Sequence, residues 1–179
     1  NHITLFWKSV SSSFSHEVSL RRGFTLVELV TAIGVLSILA TVAFTALNPL
    51  EQFKKVQDSK RKSDLSQIQK ALEGYYQDYH RYPPSSGNKI APGNVAINWG
   101  QAWQPYIDVL PIDPKSAKNY AYWVDEPSLG QSYRLYASFD KTNDPYLCTT
   151  GGGACPNLPV GITCGGICNY GVSSPNVSP

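Results

Sequence analysis

The chain has 179 residues, of which only 16% are charged, and its formal net charge is +2. That balance excludes the strong basic excess by which nucleic-acid binders hold phosphate. Eleven Tyr, six Phe and four Trp exclude wholesale disorder, and fourteen Gly with thirteen Pro predict long stretches of loop. Histidine is scarce, and His80 alone lies beyond the first sixteen residues, so no histidine-based catalytic or metal centre is expected.

Residues 1–23 read as a polar, Ser-rich leader ending in Leu20-Arg21-Arg22-Gly23. Residues 24–47 follow with Glu28 as their single charged side chain. As a helix this segment measures about 36 Å, enough to cross a bilayer. Small residues recur along it at Ala32, Gly34, Ser37, Ala40 and Ala43, which lets like helices approach closely. Asn48-Pro49 predicts a bend and a helix restart, because Asn caps well and Pro suits a first turn.

From Leu50 to about Tyr79 the apolar period is helical. Leu50, Phe53 and Val56 form one short stripe. Leu65, Ile68, Leu72, Tyr75 and Tyr79 form a second, expected to pack on a sheet. Between the stripes, residues 57–63 are polar all round, so the helix is expected there to be exposed or to touch another chain. The basic run Lys54, Lys55, Lys60, Arg61 and Lys62 has two readings: pairing with acids of neighbouring subunits, or a solvated face with pairs such as Asp58–Lys62. Tyr82-Pro83-Pro84 ends the helix.

Beyond it, Tyr120–Asp125 and Ser132–Phe139 carry the aromatic and β-branched composition of strands. In the second, Tyr133, Leu135, Ala137 and Phe139 alternate with Arg134, Tyr136, Ser138 and Asp140, which predicts one covered face. From Cys148 to Pro179 no side chain is charged, and Gly and Pro abound. Such a tail builds little core and depends on Cys148, Cys155, Cys164 and Cys168 as staples. Their C-x6-C-x8-C-x3-C spacing lacks the paired short knuckles of a zinc site, so disulfides are expected. Four cysteines allow three pairings, and locality favours Cys148–Cys155 with Cys164–Cys168.

The string Arg22-Gly23-Phe24-Thr25-Leu26-Val27-Glu28 stands before the apolar run, the reverse of a secretory cleavage site, which follows it. It resembles the class III leader junction of type IV pilins and type II secretion pseudopilins. That resemblance covers residues 21–83 and implies an α+β fold. A long N-terminal helix, membrane-spanning in its first half, would pack on a small antiparallel sheet, with a disulfide-stapled tail. The implied divisions are a cleaved leader (1–23), a membrane and filament-core helix (24–47), its amphipathic continuation (48–82), a globular head (83–147) and a Cys/Gly/Pro-rich tail (148–179). It further implies cleavage after Gly23 by a prepilin peptidase, methylation of Phe24, and assembly by an ATPase and an inner-membrane platform. The subunit would lie in the membrane lipid with its N-terminus cytoplasmic, although a positive-inside count does not itself place it so. It would then enter a homo-oligomeric extracytoplasmic filament without binding nucleic acid itself. No enzymatic activity is implied.

The physics of the junction agrees. Cleavage frees an amine at Phe24, mostly protonated with a pKa near ~8, and Glu28 sits about 6 Å further along the helix. Pairing Glu28 of one chain with the Phe24 amine of the next would set the stagger of a filament. Removing the leader also leaves equal numbers of acidic and basic side chains, so that subunits stack without long-range repulsion. Leaders of this kind are short, and if Val18 were a GTG start read as Met this one would be six residues long. In pseudopilins a loop placed like 140–144 binds calcium, which makes Asp140 and Asp144 candidate ligands, although Lys141 lies between them. A monomeric membrane-anchored binding module is the alternative reading.

Overall fold

The computed structural model describes residues 23–46, 48–125 and 129–179. They fall into two compact units that divide at Leu47 and Asn48. The proposed leader, apart from Gly23, lies outside the described residues.

The first unit contributes helix α1, Leu26–Ala46. From Leu26 to Phe44 its apolar side chains are exposed, and that stretch is long and apolar enough to cross a membrane. Three hydroxyls of this stretch bond back to the helix's own carbonyls. Thr31 Oγ1 donates to the Glu28 carbonyl at 3.0 Å, Ser37 Oγ to Ile33 at 2.7 Å and Thr41 Oγ1 to Ser37 at 2.9 Å. Back-bonded in this way, polar side chains carry no free donor into hydrocarbon.

The second unit opens with α2, Pro49–Tyr79. Pro49 stands at its start, as Asn48-Pro49 predicts. Asn48 adopts a left-handed φ of 42° and makes no side-chain cap, since the position before a proline disfavours the right-handed helical region. At the far end His80 is also left-handed, and its N–H closes the last turn on the Tyr76 carbonyl at 2.8 Å. His80 is exposed and serves as a backbone cap.

A two-residue hairpin follows, β1 (Ser85–Ser86) with β2 (Lys89–Ile90). The principal sheet is antiparallel, with β3 (Ala121–Asp125), β4 (Ser132–Ala137) and β5 (Tyr170–Ser173) in that order. Tyr122 faces Leu135, which in turn faces Val172. The α2 side chains Leu65, Ile68 and Leu72 lie fully buried in one core with Tyr122, Val124 and Leu135 of the sheet. Tyr79 departs from the expected stripe: it is half exposed, stacked on Tyr75 at the rim of the core. Leu50, Phe53 and Val56 are exposed along the first turns of α2.

Two features of the sheet differ from the sequence expectation. Its third strand, β5, comes from residues expected to be tail. Its second face is also covered: Ala121 and Tyr136 pack in a separate cluster with Cys155, Ile162, Cys164 and Cys168. The alternation in β4 therefore marks two different covers rather than one covered and one wet face. The tail reaches the sheet through tight loops. Gly165, at φ 67°, leaves no room for a Cβ against the Ala117 carbonyl, and next to it Asn119 N–H donates to the Cys164 carbonyl at 3.1 Å.

Candidate assembly site at the head of the first helix

Three predicted site residues meet at the start of α1. Gly23 and Phe24 precede the helix, both exposed, and Phe24 is 84% exposed. Thr25 caps it: its Oγ1 accepts the Glu28 N–H at 3.2 Å, and its carbonyl accepts the Leu29 N–H at 3.1 Å. Thr25-Leu26-Val27-Glu28 has the spacing of a capping box, which places Glu28 in the first turn, where the helix dipole favours a carboxylate. Among the described residues the Glu28 carboxylate makes no hydrogen bond or ion pair. The helix start thus presents an exposed aromatic residue and a carboxylate one turn apart, free to meet an amine from another chain. Sequence reading located all three residues but missed Thr25, whose Thr-x-x-Glu spacing was the available signal.

The four cysteines sit far from this site in sequence and form two disulfides, Cys148–Cys155 and Cys164–Cys168, with Cα separations of 4.9 and 5.4 Å. This is the pairing that locality favours. The two bridges are neighbours. Cys155 N–H donates to the Cys168 carbonyl at 2.9 Å, and Cys148 N–H to the Asn169 carbonyl at 2.9 Å. On the chain-entropy account, closing loops this short contributes roughly 2–3 kcal/mol each. Intact mass of the non-reduced protein should therefore lie about 4 Da below that of the reduced chain, and thiol labelling should find nothing until reductant is added. Four reactive thiols in the native protein would contradict the pairing.

The structure brings Asp140 and Asp144 to cations of the chain itself. Asp140 accepts from Arg61 Nη1 at 2.8 Å, Lys115 Nζ at 2.8 Å and Lys118 Nζ at 3.0 Å. Burial alone would raise its pKa. These donors outweigh burial and hold the carboxyl well below its usual value of 3.8. Asp144 takes Lys62 Nζ at 3.0 Å and the Tyr146 N–H at 3.0 Å, and is likewise lowered against the effect of burial. Among the described residues no group of three or more His, Cys, Asp or Glu side chains could hold a metal ion.

Against the sequence expectation, the polar segment 57–63 is not exposed all round. Asp58, Arg61 and Asp64 are buried, because the network around Arg61 draws this face of α2 into the head. Four of the five cations of the basic run pair within the chain: Lys54 with Glu51, Lys60 with Asp64, Arg61 with Asp58, Asp113 and Asp140, and Lys62 with Asp144.

An apolar helix with this capped start, followed by a helix on a small antiparallel sheet and two C-terminal disulfides, defines an α+β, pilin-like class. A family model described as the prokaryotic N-terminal methylation motif matches residues 19–44. The chain is also similar to the Type II secretion system core protein G of Escherichia coli (strain K12), at 29% identity over 102 residues. That match takes in 52% of this chain and 66% of the relative, just under two thirds of the relative's length. No solved structure matches. Motif and similarity together support a pilin or pseudopilin structural subunit.

Proposed function

We propose that this chain is a filament subunit, a pilin or pseudopilin with a structural rather than catalytic role. A prepilin peptidase cuts between Gly23 and Phe24 and the new amine is methylated. Helix α1 holds the subunit in the cytoplasmic membrane until an ATPase and a membrane platform move it into an extracytoplasmic filament. That filament is a type IV pilus or a type II secretion pseudopilus. The observation that carries this reading is the methylation motif set on the capped start of an exposed apolar helix, with Glu28 unpartnered among the described residues. In a bundle of like helices that carboxylate would need a counter-charge, and the Phe24 amine of a neighbour is the one the motif supplies.

The structure sharpens the test of processing. Among the described residues a Cβ added at Gly23 meets nothing within 4 Å. Gly23→Val therefore costs the folded chain little, and any effect lies in the fit of the scissile bond to the peptidase. We expect the variant to accumulate uncut in the membrane, while the parent chain begins at Phe24 on N-terminal sequencing. A parent chain that does not begin at Phe24, or a Gly23→Val chain cut at the normal rate, would remove the peptidase assignment.

A further inference from the structure

We propose that Arg61 is a built-in cation that locks two separate segments onto α2, doing in this fold the work of a bound metal ion. Asp58 comes from α2, Asp113 from the loop between β2 and β3, and Asp140 from the chain just after β4. All three carboxylates converge on one guanidinium that is 0% exposed.

All three guanidinium nitrogens are engaged. Nε and Nη2 grip Asp113 as a fork at 2.7 and 2.9 Å. Nη1 is shared between Asp58 at 2.7 Å and Asp140 at 2.8 Å. The oxygens are then committed elsewhere as well. Asp58 accepts the backbone N–H groups of Asp140 and Lys141, each at 3.0 Å. Asp113 Oδ1 accepts the Lys115 N–H at 2.8 Å. The second oxygen of Asp140 receives the Lys115 and Lys118 ammoniums. Every buried side-chain nitrogen and oxygen among the described residues has a partner.

A hard divalent cation asks for six to eight oxygens with lone pairs to give. Here those lone pairs point at N–H donors, and the positive charge comes from the chain. A lysine cannot replace the guanidinium, because a single ammonium does not span the Asp113 fork and reach two further carboxylates. The head should therefore be held by Arg61 and be indifferent to calcium.

The test is thermal unfolding of the full-length chain in detergent micelles, followed by near-ultraviolet circular dichroism, in millimolar calcium and in chelator. The parent protein should melt at the same midpoint in both. Arg61→Lys should lower that midpoint by roughly 10 °C or more. Arg61→Ala bares three carboxylates and should do the same in chelator, with part of the loss recovered in calcium. A parent midpoint that rises with calcium would overturn the proposal, and so would an Arg61→Lys chain that melts with the parent. A chain carrying either substitution that fails to fold counts as loss of the lock, and the parent comparison still decides the question of calcium.

Discussion

Valine at position 28 is expected to abolish filaments while leaving cleavage and membrane insertion intact. Glu28 is the sole charge between residues 24 and 47, and among the described residues it has no partner. Its removal from an isolated membrane helix relieves a desolvation cost of at most roughly 2.5–3.5 kcal/mol. The loss at the helix start is smaller, about 0.3–1 kcal/mol of dipole interaction, and Thr25 still caps the turn. A monomeric anchor would therefore be unharmed. In a filament the Phe24 amine of each incoming chain would instead enter an apolar bundle unpaired, and the axial register would lose its charge pair. Electron microscopy of sheared material, beside an immunoblot of membranes, separates the two. Abundant filaments made from the Glu28→Val chain as sole copy would end the pairing model.

The second large effect should come from Asp113→Ala. Asp113 holds two of the donors of a fully buried guanidinium, and truncating it leaves that charge short of its strongest partner. Breaking a buried pair from one side costs about 3–5 kcal/mol. For a head of this size that is a fall of roughly 10 °C or more in midpoint, readable by circular dichroism. A shift no larger than that of a surface Asp→Ala control, such as Asp108→Ala, would show that the network carries little stability. The same network sets an acid limit. Asp140 has its folded pKa depressed below 3.8, so the unfolded chain takes up protons first as pH falls. Its contribution is complete above the ordinary carboxylate range and is lost progressively as pH drops through 3.8 toward the depressed value.

Much of this was legible in the sequence because it rests on local signals. The junction 22–28, the apolar run and the Leu65–Ile68–Leu72 stripe each depend on residues a few positions apart. So do the two strands, the first read from its composition and the second from its period-2 alternation. What was not legible depends on distant segments meeting. Arg61 reads as part of a solvated basic run until Asp113 and Asp140 are brought to it, from 52 and 79 residues away. A hint was present. Asp58 and Arg61 extend the stripe of Leu65, Ile68 and Leu72 toward the N-terminus at helical spacing, and polar side chains on a core stripe imply buried partners. Strand β5 was hidden for a different reason. Tyr170-Gly171-Val172-Ser173 is short and carries a glycine, and the partner strand and the disulfides beside it, rather than its own propensity, make it a strand. Tyr136 misled in the same way, since the cover on its face comes from the tail.

The origin of β5 has a consequence for the order in which the subunit matures. The strand lies after all four cysteines in the sequence. A chain delivered N-terminus first therefore presents α2, β3 and β4 while one side of β4 still has bare backbone N–H and C=O groups, an open invitation to pair with another chain. Only arrival of Tyr170–Ser173 closes that edge. A product cut short before Tyr170 carries a sticky edge that invites aggregation or proteolysis.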